Sequence, residues 1–155
     1  HRYAMCFPKQ VSALIAASAG WYTMPNHRWR FPYACAASDD LPAGIEDLDA
    51  FLGIPALVMV GEKDTARDAL LRRSRAIDRA QGRNRLERAE SWVQAVSSYA
   101  SSRGINPQVS MEVLPNCGHS AREAIRKGGL VRRSISFLAC QQTSPPLGAE
   151  VDTPG

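Results

Sequence analysis

The 155 residues, 45% of them hydrophobic and 22% charged, suit one globular domain with enough chain to bury a substantial core. No apolar run approaches the ~20 residues that a membrane-spanning helix needs, so composition argues against both a helical span and an intrinsically disordered chain. The net charge is +4, and basic residues concentrate between Arg67 and Arg88. Asp68, Asp78, Glu87 and Glu90 interleave with them at helical spacing, which predicts a solvated, pair-laced helix face and no nucleic-acid partner.

In chain order, His1 to Phe7 stops at Pro8 as a helix tail does. Val11 to Ala17 is a nearly continuous apolar run ended by Ser18-Ala19-Gly20, the length of a buried strand. Trp21 to Gly44 lacks periodicity but holds Trp21, Tyr22, Trp29, Phe31 and Tyr33 among three prolines. So many large aromatics predict an ordered loop or cap-like segment, not a linker. Ile45 to Leu52 places Ile45, Leu48, Phe51 and Leu52 on one helical face, closed by Gly53.

Leu57 to Val60 is wholly apolar and bounded by Gly61, as expected of a parallel strand covered on both faces. Thr65 followed by Asp68 reads as a variant capping box opening a helix to about Gly82. A second helix is predicted from Asn84 to Arg103, with Leu86, Ala89, Val93, Val96 and Ala100 as its stripe and Gly104 after its end. Val109, Met111 and Val113 alternate as a strand. A loop, Asn116 to Ser120, leads to helical segments at Ala121–Arg126 and Leu130–Leu138. The Pro-, Gly- and Thr/Ser-rich residues 141–155 are expected to be an unstructured tail. Strands separated by helices imply right-handed crossovers and a parallel sheet of about three strands, with an exposed apolar edge open to pairing with another chain.

In such a sheet, functional groups gather at the carboxyl ends of the strands. Asp64 lies four residues after Val60, and His119 five after Leu114. A carboxylate that orients an imidazole, and an imidazole that shuttles a proton, are two of the three parts of a hydrolytic triad. His1 and His27 have no such setting and are expected at the surface or in a helix tail. Cys6, Cys35, Cys117 and Cys140 form no C-x-x-C pair, so neither a zinc knuckle nor a redox motif is predicted, and buried free thiols are.

"PALVMVGEKDT" resembles the penultimate core strand and acid loop of the α/β-hydrolases, and "MEVLPNCGHS" resembles their last core strand and histidine loop. "HRYAMCFPKQVSALIAASAGWYTMP" is similar to the region just after the nucleophile in bacterial esterase-like members. The resemblance covers about residues 1 to 140. It implies the C-terminal part of an α/β-hydrolase fold, with 21–44 as a loop or cap-like segment and residues 141–155 as the tail. It also implies carboxylic-ester hydrolysis of a small-molecule substrate by the parent protein, without metal or organic cofactor. Asp64 would be the triad acid and His119 the base.

The family's G-x-S-x-G turn is absent from these residues, and the resemblance puts it upstream of His1. Ser18, in Ala16-Ala17-Ser18-Ala19-Gly20, has the right order relative to Asp64 and His119, but Pro25 interrupts the helix that should follow. Trp21, Tyr22 and Met24 follow the strand end, where they either wall a substrate pocket near His119 or pack the loop onto the core. The expected chain alone is therefore inactive. The alternative is a non-catalytic, hydrolase-like interaction module.

Overall fold

The structure, a computed structural model, describes residues 1–142, and the expectation of an unstructured tail lies outside them from residue 143 onward. Helix α1 (Arg2–Cys6) precedes strand β1 (Leu14–Ala17). Then come α2 (Leu48–Leu52), β2 (Ala56–Gly61), α3 (Arg75–Gln81), α4 (Arg85–Ser102), β3 (Val109–Leu114), α5 (Ala121–Arg126) and α6 (Leu130–Gln142). The three strands form one parallel sheet in the order β1-β2-β3. Among the described residues no helix is long and apolar enough to cross a membrane.

The apolar run of β2 has the predicted cause, since all six of its residues are buried. Alternate side chains point to opposite faces of a strand. Val58 and Val60 join the larger cluster with Phe51, Leu52, Trp92, Val96 and Ala100, beneath α2 and α4. Leu57 and Met59 join Leu114 and Cys117 on the other face, with Leu130 and Phe137 of α6 against them. The strands on either side each leave an outer edge unpaired among the described residues.

Residues 21–44 are irregular but anchored. The Gln81 side-chain amide bonds both backbone groups of Tyr22, at 2.8 and 2.7 Å. The indole N–H of Trp92 donates to the Thr23 carbonyl at 2.8 Å. His1, expected at the surface or in a helix tail, sits at the start of α1, packs its ring at 5.2 Å from that of Tyr22 and 5.6 Å from that of Trp92, and accepts from the Thr23 N–H. Helix α4 ends as predicted, with Gly104 beyond it at φ +70°.

Two expectations fail for related reasons. No helix begins at Thr65: residues 65–74 are irregular and α3 starts at Arg75. The Asp68 carboxylate accepts from the N–H groups of Leu70 and Leu71, both at 2.9 Å, and so closes a local turn instead of serving as the third residue of a capping box. Nor is the basic stretch a solvated face throughout, because Arg85 and Arg88 are 2% and 0% exposed. They lie on the inward stripe of α4 with Ala89, Trp92, Val96 and Ala100. Arg88 is matched on every side: it donates to the carbonyls of Gly82, Gly20 and Arg72 and to Asp78 Oδ1. A buried charge persists when it is paired and hydrogen-bonded in this way.

Candidate active site

Asp64 and His119 follow the carboxyl ends of β2 and β3. After β2 the chain turns through Gly61-Glu62-Lys63-Asp64, closed by the Asp64 N–H on the Gly61 carbonyl at 3.0 Å. Three further bonds lock this turn to the loop after β3, and a fourth ties that loop to α5. Glu62 N–H donates to Leu114 O, and Lys63 N–H donates to Cys117 O at 2.8 Å. The Glu62 carboxylate accepts from Asn116 N–H at 2.8 Å, and Glu123 accepts from Gly118 N–H at 3.2 Å. Ser120 caps α5 by accepting from Glu123 N–H, which fixes the far side of the loop.

Gly61 makes this contact possible. A Cβ there would lie 2.3 Å from the Cys117 carbonyl oxygen and 2.6 Å from that of Gly118. Gly61→Ala is expected to destabilise the fold by about 3 kcal/mol, because backbone on the opposite loop must move. It should also separate His119 from Asp64. Urea unfolding together with the imidazole NMR signal checks both effects, and an unaltered ring environment would count against the interlock.

The two side chains meet. Asp64 is 1% exposed, and its Oδ2 lies 3.0 Å from Nδ1 of His119. The His119 side chain is 38% exposed, and its Nε2 bonds to no described residue. One ring nitrogen is thus tied to a buried carboxylate while the ring reaches solvent. Burial pushes the phenol of Tyr22 up, and the negative charge of Asp64 adds to that shift.

Arg85 was missed in the sequence because a charged side chain in a charged stretch reads as exposed. Its Nη1 lies 3.5 Å from Asp64 Oδ1 and 2.8 Å from Asp68 Oδ2, and Nη2 lies 3.1 Å from Asp68 Oδ1. The available signal was its place one turn and three residues ahead of Trp92 on the apolar stripe of α4. Its fork holds the Asp68 carboxyl at about 2, below an ordinary 3.8. Asp78 is shifted the same way, first by Arg67 and then by Arg88. A depressed carboxyl stabilises the fold above its unfolded value and loses that contribution as pH falls through its folded value. Stability is therefore expected to drop as pH falls from 3.8 towards 2, less steeply in Asp68→Asn, as urea midpoints across that range would reveal.

The other sequence candidates are placed differently. Ser18 ends β1 at φ +45°, with its N–H on the Met59 carbonyl, and its hydroxyl makes no hydrogen bond to His119. Tyr22 and Met24 are core residues, 0% and 8% exposed, with the Tyr22 ring stacked 5.0 Å from Trp92. Trp21 lies between Tyr33, at 5.1 Å, and the Arg2 guanidinium, 3.8 Å above its ring. Among the described residues no group of three or more His, Cys, Asp or Glu side chains is arranged to hold a metal ion.

No family model and no curated protein matches the chain. Solved structures do, among them the following two. Poly(aspartic acid) hydrolase-1 from Sphingomonas sp. KT-1 is similar over 92% of this chain and 49% of its own, at 26% identity and a TM-score of 0.69. LpqC, a poly(3-hydroxybutyrate) depolymerase from Bordetella parapertussis, is similar over 86% of this chain and 41% of its own, at 27% identity and a TM-score of 0.65. The chain therefore spans less than half the length of these two structures. With three parallel strands flanked by helices, it is an α/β-hydrolase relative that corresponds to part of that fold.

Proposed function

We propose that this chain supplies the acid and the base of a Ser-His-Asp triad in a carboxylic-ester hydrolase. The observation that carries the reading is the pairing of a buried Asp64 with Nδ1 of His119 at 3.0 Å, at the carboxyl ends of neighbouring parallel strands. Both solved relatives are named for breaking acyl-linked polymers, an aspartic acid polymer in one and a hydroxybutyrate polymer in the other. That agreement supports acyl transfer as the chemistry.

In this mechanism the nucleophile is a serine outside the 155 residues, a position consistent with a match to under half of each relative. His119 Nε2 takes the serine proton as the oxygen attacks the ester carbonyl, then returns it to the leaving alcohol. Asp64 holds the proton-bearing Nδ1 in place and stabilises the imidazolium. Water, activated by the same nitrogen, releases the acid. Without the nucleophile and oxyanion donors, little remains to stabilise a tetrahedral intermediate.

The 155-residue chain alone is thus expected to hydrolyse a p-nitrophenyl ester no faster than buffer. Strong turnover that Ser18→Ala abolishes would overturn the reading, since Ser18 would then be the nucleophile. Sequencing the DNA upstream of the His1 codon tests the other half. An in-frame G-x-S-x-G after a strand-like run supports it, and unrelated sequence or a stop codon argues against it. The second reading, a non-catalytic module that pairs through its sheet, is favoured by the outer edges of β1 and β3, which are unpaired among the described residues. Saturable association with a nucleophile-bearing hydrolase fragment that gains no activity would support that reading instead.

A further inference from the structure

Asp64 has two carboxylate oxygens and two charged or chargeable neighbours. Oδ2 takes His119, while Oδ1 faces Arg85 at 3.5 Å, the outer limit of a hydrogen bond, although the Asp64 and Arg85 side chains are 0% and 2% exposed. A guanidinium this close in a dry setting closes on a carboxylate unless something holds it back. Asp68 does so. It receives the Arg85 fork through both oxygens, at 2.8 and 3.1 Å, and is itself fixed by the N–H groups of Leu70 and Leu71.

The consequence for Asp64 is intermediate between two extremes. A carboxylate fully paired with a guanidinium is a weaker partner for an imidazole and stabilises its protonated form less. A buried carboxylate with no cation nearby takes up a proton and stops accepting one from the ring. Here a full positive charge stands beside Asp64, but its short bonds go to another carboxylate. Oδ2 is left to His119.

We propose that Arg85, restrained by Asp68, is a positioning residue that sets how strongly Asp64 holds and charges the His119 ring. This rests on the reading of Asp64 and His119 as acid and base. Arg85 touches no substrate in this scheme and acts only through Asp64. The groups facing Asp64 are His119, Arg85 and the Tyr22 phenol, and those facing Arg85 are Asp64, Asp68 and Arg88.

Two substitutions should push the ring in opposite directions. Asp68→Asn frees Arg85 to close on Asp64, and the protonation midpoint of the His119 ring falls. Arg85→Gln removes the cation and leaves two carboxylates, and the midpoint rises. Each movement is expected to be about one pH unit, a tenfold change in proton affinity. The double variant, with both charges gone, returns close to the unsubstituted chain. A side chain with a merely structural role moves both variants the same way, or neither.

The measurement is an NMR titration of the His119 Cε1–H signal in the 155-residue chain, which needs no catalytic activity. Asp64→Asn is the control for the underlying reading. If that control leaves the midpoint where it was, the pairing of acid and base fails and this proposal falls with it. If the control lowers the midpoint while Asp68→Asn and Arg85→Gln leave it in place or shift it alike, only the role of Arg85 is overturned. Where Arg85→Gln alone does not fold, the double variant is compared with Asp68→Asn. The midpoint must rise between those two, and no rise overturns the proposal.

Discussion

On the proposed triad reading, Asp64→Asn is expected to lower kcat about 10⁴-fold when this chain is assayed together with a nucleophile-bearing α/β-hydrolase segment, with KM little changed. That loss corresponds to about 5.5 kcal/mol of transition-state stabilisation. Asparagine keeps the shape of the side chain, so the turn closed by the Asp64 N–H and the bonds that lock it to the histidine loop survive. Two things are lost. The amide does not fix which ring nitrogen of His119 carries the proton, and it offers no charge to the imidazolium that forms as serine attacks. Arg85 keeps its fork on Asp68, so the substitution leaves no unpaired buried cation and stability should change far less than activity. A fall of only tenfold in kcat, in a variant that remains folded, would remove Asp64 from the role of triad acid.

Trp92→Ala is the substitution expected to cost most in stability, about 4 kcal/mol. Trp92 is fully buried on the inward stripe of α4. Its ring stacks 5.0 Å from that of Tyr22 and lies 6.2 Å from Phe51 and 5.6 Å from His1, so truncation removes several aromatic contacts at once. It also leaves the Thr23 carbonyl, which accepts the indole N–H at 2.8 Å, buried without that partner. Since domains of this kind are stable by only about 5–15 kcal/mol, the variant should sit near the edge of folding. Urea unfolding gives the number directly. Trp92→Phe separates the terms, because it keeps much of the stack and orphans the carbonyl. A cost below about 1 kcal/mol for alanine would mean that the aromatic cluster is not what ties residues 21–44 to the sheet.

The elements that set these predictions were not equally legible in the sequence. The strand β2 was readable because a parallel strand buried on two faces writes itself as an apolar run, β3 because its apolar residues alternate, and the positions of Asp64 and His119 because both follow strand ends closely in the sequence. Gly61, Asp64 and His119 fall within the quoted strand-loop segments for that reason. Arg85 and Arg88 were not readable in the same way. Their burial depends on Asp64, Asp68, Asp78 and three distant carbonyls, and none of those pairings is written in the spacing of the charges. Asp68 misled for the same reason, since the tertiary partner Arg85 and two local N–H groups take the carboxylate that a helix cap would have used. Tyr22 was ambiguous between pocket and core because an aromatic after a strand end serves either, and only the facing Trp92 decides it.

The close approach that Gly61 permits has a further consequence for how a complete catalytic centre comes together. Three reacting groups carried on three independent loops leave two relative placements to be set. On the proposed reading of Asp64 and His119 as acid and base, the two hang from turns joined by short bonds within one chain, so one placement is already set when this part folds. An incoming nucleophile meets a single fixed target. The orientational freedom that would otherwise be lost at the chemical step is lost earlier, in the folding of this chain.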